Sequence, residues 1–227
     1  MHRQFEEELE HLKQTILVMA GLVERTLEDV AKALVNQDVE RAQEIIRRDD
    51  EVDRLEIEID RLATEFIARH QPTATDLRFV IVAIKLGPEL ERIADDAVNV
   101  AQRVLHLAKL PLLKPLIDLP RMLALAQAMV NDAITAYVNR DPIAAREIIR
   151  RDDDVDRLYW QVFRELLTFM MEDPSIISRA IDLILVARFI ERMVDQATNI
   201  AEEVVYLVEG VPIRHQHDEP KKLRFGE

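Results

Sequence analysis

Two stretches of this chain are nearly the same stretch. Residues 35–55 read VNQDVERAQEIIRRDDEVDRL and residues 138–158 read VNRDPIAAREIIRRDDDVDRL, and fifteen of these 21 aligned positions are identical at a constant offset of 103. A second match sets ERIADDAVNVA at 91–101 against ERMVDQATNIA at 191–201, at an offset of 100. The change of offset puts a length difference in the turn between the two matched segments. An internal repeat of this kind restricts the fold more than any other feature, because both copies must adopt the same unit and the two units must pack.

The unit is helical. Leu, Ile, Ala, Glu and Arg dominate, while 227 residues include only 4 Gly, 7 Phe, 3 Tyr and 1 Trp. That balance disfavours a strand-and-turn protein and suits long helices. Breakers divide each copy into three. Asp38 and Asp141 read as N-caps, with Pro142 at the first helical position of the second. His70-Gln71-Pro72-Thr73 and Asp173-Pro174 mark the second break of each copy, and Thr73 with Asp76 resembles a capping box. Pro111, Pro115 and Pro120 mark the connection between copies. Six helices are expected, near 4–36, 39–70, 74–109, 118–139, 142–171 and 175–209, with short connections that make neighbours antiparallel. The predicted fold is an all-α tandem duplication of a three-helix bundle. The first bundle covers 1–111 and the second 112–210. A loose tail, 211–227, carries His215 and His217.

Composition closes off several functions. With no Cys there are no disulfides, thiolate zinc sites or thiol nucleophiles. A formal charge of −13 opposes general nucleic-acid binding. The longest apolar run, Phe79 to Ile84, is far short of the ~18 residues of a membrane span, so no direct membrane insertion is expected. Walker, nucleophile-elbow and dinucleotide motifs are lacking. Di-iron carboxylate bundles need two Glu-x-x-His motifs; Glu8 and His11 supply one. Neither His70 nor His106 has a sequence neighbourhood that points to general-base work. No enzymatic activity is expected, and the alternative is metal storage or metal-dependent catalysis in a carboxylate bundle.

The repeated acids are the candidate site. Asp49 and Asp53 match Asp152 and Asp156, while Glu91 and Asp95 match Glu191 and Asp195; each pair is spaced i, i+4 and shares a helix face. Asp53 and Glu91 are equidistant from Pro72, and so are Asp49 and Asp95. In the second copy the corresponding pairs are centred between Asp173 and Pro174. Across an antiparallel hairpin, the four acids of each copy therefore stand at one level. Their phase is unusual for charge. Heptad steps through Glu91 run Leu77, Ile84, Glu91, Val98 and Leu105, so the acids take or border apolar positions. Carboxylates gathered there raise one another's pKa unless a cation joins them. That cation is either a metal ion or an arginine, with Arg54, Arg92, Arg157 and Arg192 nearby in sequence. Asn99 and Asn199, one turn beyond Asp95 and Asp195, are candidate outer ligands. An all-oxygen donor set suits iron, Mn²⁺, Mg²⁺ or Ca²⁺, possibly more than one ion per site, and not zinc. Gly87-Pro88 interrupts the helix just before Glu91 and should bend it.

At these residues the sequence resembles the PhoU family, regulators that accompany the bacterial phosphate-specific ABC transporter. The likeness lies in the duplicated E(D)-x-x-x-D motif quoted above, in Gln71-Pro72-Thr73-Ala74-Thr75-Asp76-Leu77-Arg78, and in Met170-Met171-Glu172-Asp173. It spans residues 1 to about 210. Gly87-Pro88 departs from the uninterrupted helix expected before the Glu motif. The resemblance implies a cytoplasmic, metal-binding negative regulator of the phosphate-starvation response, often a homodimer. Its implied partners are the transporter's ATPase subunit and a sensor histidine kinase.

Overall fold

The computed structural model describes residues 2–113 and 115–213. Its helices are α1 (His2–Asn36), α2 (Val39–Arg47), α3 (Asp50–His70), α4 (Ala74–Leu107), α5 (Asp118–Asn139), α6 (Pro142–Glu172) and α7 (Ile177–Glu209), with a 3₁₀ turn at Pro174–Ile176. The fold is all-α. Five of the six expected helices are single elements, and the second is split into α2 and α3 at Arg48-Asp49. Of the expected loose tail, residues 211–213 are described and Ile213 is buried against the core; the rest, with His215 and His217, lies outside the described residues.

The helix ends largely follow their local chemistry. Asp38 accepts a hydrogen bond from the Arg41 backbone N–H at 3.0 Å. Asp141 accepts from Ile143 and Ala144 at 2.9 and 3.0 Å, with Pro142 opening α6. Such caps satisfy donors that the first helical turn cannot. Asp173 closes α6 and accepts from Ser175 N–H at 2.9 Å. Thr73 is the exception. It has extended backbone at the start of α4, but its side chain makes no capping bond; the backbone carbonyl takes Asp76 and Leu77 N–H instead.

One continuous apolar core runs through both repeats. Its centre is the pair α4 and α7, each packed more extensively on the other than on most neighbours. Polar contacts order the pair: Lys85 meets Glu203, Glu89 meets Asn199, Asp96 meets Arg192, and Arg103 meets Asp182. Residue numbers rise along one helix as they fall along the other, so α4 and α7 are antiparallel. The rest of each repeat flanks this pair: α1, α2 and α3 pack on α4, α5 and α6 pack on α7, and α1 also touches α5. At the hairpin end of the first repeat, Phe5, Phe66 and His70 form an aromatic cluster, with Phe5 and Phe66 centroids 5.0 Å apart. Fully burying a side chain such as Phe66 contributes about 1.5–3 kcal/mol.

Candidate metal centre

In the first repeat the acids stand on two facing elements, Asp49 and Asp53 at the α2–α3 break and on α3, Glu91 and Asp95 on α4. All four are half-buried, as their place between apolar and solvated positions requires. They feel one another. Burial first, then Asp95, Asp53 and Asp50, push Asp49 up to about 6. Glu91 is pushed up to about 7 by burial, by Asp95, by Glu56, by a hydrogen bond with Asp95 and by Asp53. The cause in both cases is carboxylates sharing a partly dehydrated space. Glu56 is an acid that heptad counting passed over. It follows Asp49 and Asp53 at i+7 and i+3, the same helix face, and that spacing was the available signal.

The four arginines near the motifs turn elsewhere. Arg54 pairs with Asp50 at 3.7 Å, Arg92 with Glu89 at 3.6 Å, Arg192 with Asp96 at 3.3 Å, and Arg157 with Asp154. Among the described residues, no ion pair reaches Asp49, Asp53, Glu56, Glu91 or Asp95. In the second repeat Asp152, Asp156 and Asp195 are half-buried and Glu191 is buried. Glu191 has a cation that proximity in sequence did not single out: Arg188 Nη1 donates to its Oε2 at 2.5 Å.

The donor set suits a hard cation. It is entirely oxygen, it carries a high density of negative charge, and Asp49 Oδ1 is buried without a hydrogen-bond partner. In their present rotamers, no three His, Asp or Glu side chains among the described residues converge on one ion position. Repulsion between ionised carboxylates favours such splayed rotamers. Asn99 and Asn199 are both engaged in the seam between α4 and α7. Asn99 borders Asp96 and strengthens its acidity, and Asn199 Nδ2 donates to Glu89 Oε2 at 3.2 Å and Gln196 Oε1 at 3.4 Å.

That seam holds charges that the sequence reading passed over. Asp96 is fully buried and its acidity is weakened, to about 6, by that burial against the opposing pull of Arg192. Glu203, also buried, accepts two bonds from Lys85 Nζ, at 3.1 and 2.8 Å. Glu89, Asp96 and Arg103 recur every seven residues, which is a legible polar stripe once looked for. The lone Glu-x-x-His spacing resolves differently: Glu8 pairs with His70 at 2.9 Å and with Arg69 at 3.3 Å. His70 thus does have an acid partner, brought from 62 residues away by the α1–α3 packing.

The PhoU domain family model matches twice, at residues 16–104 and 119–204. The chain belongs to the PhoU family. It is 42% identical over 214 residues to the "Phosphate-specific transport system accessory protein PhoU homolog" of Aquifex aeolicus, covering 94% of this chain and 97% of that one. The Rhizobium meliloti protein of the same description is 38% identical, with 96% and 91% covered. The crystal structure of PhoU from Pseudomonas aeruginosa superimposes with a TM-score of 0.88 at 38% identity, over 91% of this chain and all of that one. The PhoU structure from Streptococcus pneumoniae gives 0.85 at 29% identity, over 92% and 98%. As a PhoU-family member the chain is an all-helical tandem repeat. Among the described residues, no helix is long and apolar enough to cross a membrane.

Proposed function

We propose that this chain is a metal-binding accessory regulator of a phosphate-specific transport system, working in the cytoplasm as a non-enzymatic adaptor. Its relatives are named as accessory proteins of that system, and the similarity runs nearly end to end in both partners. On this reading Asp49, Asp53, Glu91 and Asp95 hold metal in the first repeat, with Asp152, Asp156, Glu191 and Asp195 in the second. Asn99 and Asn199 are candidate outer groups. A hard cation such as iron, Mn²⁺, Mg²⁺ or Ca²⁺ supplies the positive charge that the acids want and ties the hairpin helices of each repeat together. The helix surfaces then dock the transporter's ATPase subunit and a sensor histidine kinase, which keeps phosphate-starvation genes off when phosphate is ample. A homodimer is the expected assembly.

The observation that carries the metal reading is the first repeat's acid band, half-buried and answered by no arginine among the described residues. Elemental analysis of purified protein beside Glu91→Gln/Asp95→Asn/Glu191→Gln/Asp195→Asn tests it; equal metal content in both sinks it. Deleting the protein should leave phosphate-regulated genes on in high phosphate, and normal repression in the deletion strain would refute the regulatory role.

A further inference from the structure

The two repeats are alike in their motif acids and unlike in what surrounds them. At the offset of 100, Pro88 of α4 corresponds to Arg188 of α7. At the offset of 103, Glu56 of α3 corresponds to Tyr159 of α6. Both differences fall on the sites. Glu56 faces Gly87 of α4, one turn before Glu91, and adds its charge to Glu91. Its counterpart Tyr159 lies within the fields of Arg188 and Glu191 and brings no charge of its own. Arg188 closes on Glu191 at 2.5 Å, whereas Pro88 cannot donate a hydrogen bond at all. The first site therefore gathers five acids and no cation; the second has four motif acids and a tethered guanidinium.

We infer that the two sites are functionally unequal. The first is a high-affinity cation site in which Glu56 is a fifth carboxylate. The second is a weaker site whose resident cation, Arg188, an incoming metal ion must displace. This inference rests on the metal reading above. The physical cause is direct: a divalent ion gains less at a carboxylate that already holds a guanidinium, and breaking that pair costs part of the binding energy. Arg188 has somewhere to go. Its charge also reaches Asp96, which is buried in the α4–α7 seam beside Arg192, 3.3 Å away, with neither carboxylate oxygen hydrogen-bonded.

Binding of Mn²⁺ to metal-stripped full-length protein, followed by calorimetry and by electron paramagnetic resonance of free Mn²⁺, tests this. Wild type should show a tight and a weak class of site. Glu91→Gln/Asp95→Asn should remove the tight class. On that background Arg188→Gln should strengthen the remaining class about tenfold, a modest factor because the Arg188 side chain is half exposed. Glu56→Gln should weaken only the tight class. Unchanged affinity in Arg188→Gln, or two indistinguishable classes in wild type, overturns the inequality and leaves the metal reading standing. No Mn²⁺ binding by wild type or by any folded variant overturns both, with circular dichroism confirming that the variants are folded.

Discussion

Replacing Glu91 by glutamine removes one charge from a group of carboxylates that repel one another, and the consequence is calculable. Glu91 is held at about 7 rather than 4.5. Between those values the folded protein binds a proton that the unfolded chain releases, so stability is present at low pH and declines as pH rises through 7. At pH 8 the full displacement is worth roughly 3 kcal/mol. Glu91 is only half-buried and titrates together with its neighbours, so solvent screening reduces this to about 1.5–2 kcal/mol. Glu91→Gln should therefore stabilise the protein by about that amount at pH 8 in a chelating buffer, raising Tm by about 4–6 °C for a chain of this size. At pH 5 the two proteins should be nearly equal. Urea denaturation followed by circular dichroism at both pH values provides the measurement. Adding Mn²⁺ should reverse the order at pH 8, since the variant lacks a ligand that the wild type uses. A variant no more stable than wild type at pH 8 in chelator would refute the claim that the acids strain one another.

Three other outcomes are expected from urea denaturation. Phe66→Ala should cost about 3–5 kcal/mol, because the ring is almost wholly buried and touches both Phe5 and His70. Lys85→Met should lose about 1–3 kcal/mol, since buried Glu203 gives up two charge-assisted bonds; a neutral result would mean that those bonds do not hold the α4–α7 seam. Asp141→Ala should cost about 1 kcal/mol through the lost cap of α6, with Asp141→Asn largely restoring it.

Much of the architecture could be read from local patterns, since capping, proline placement and apolar period act over a few residues. Asp38 and Asp141 cap as their positions predict, and Asp173, read only as a break, caps Ser175 as well. Thr73 does not: its hydroxyl makes no capping bond, while its carbonyl accepts the first helical N–H bonds as any N-cap carbonyl does. The nearness of the first repeat's acids was legible through the repeat itself: residues equidistant from a turn lie level on an antiparallel hairpin. Glu56 and the stripe of Glu89, Asp96 and Arg103 had period signals that stayed hidden behind the stronger motif match. The Glu8–His70 pair had no signal, because residues far apart in sequence meet only once the helices have packed.

The sharpest case is the pair of segments 44–55 and 147–158, which differ only at Glu51 and Asp154. One breaks at Arg48-Asp49 and the other runs unbroken through α6. Segments so nearly identical have nearly identical local preferences, so the break comes from the different surroundings that each copy meets. The sequence by itself determined that this chain is two copies of a helical unit carrying the same acids, because period, caps and repetition are local properties. Which arginine answers which acid, where a helix breaks, and how the two bands come to differ were decided by tertiary packing, because ion pairs and helix ends are settled by the partner across the interface.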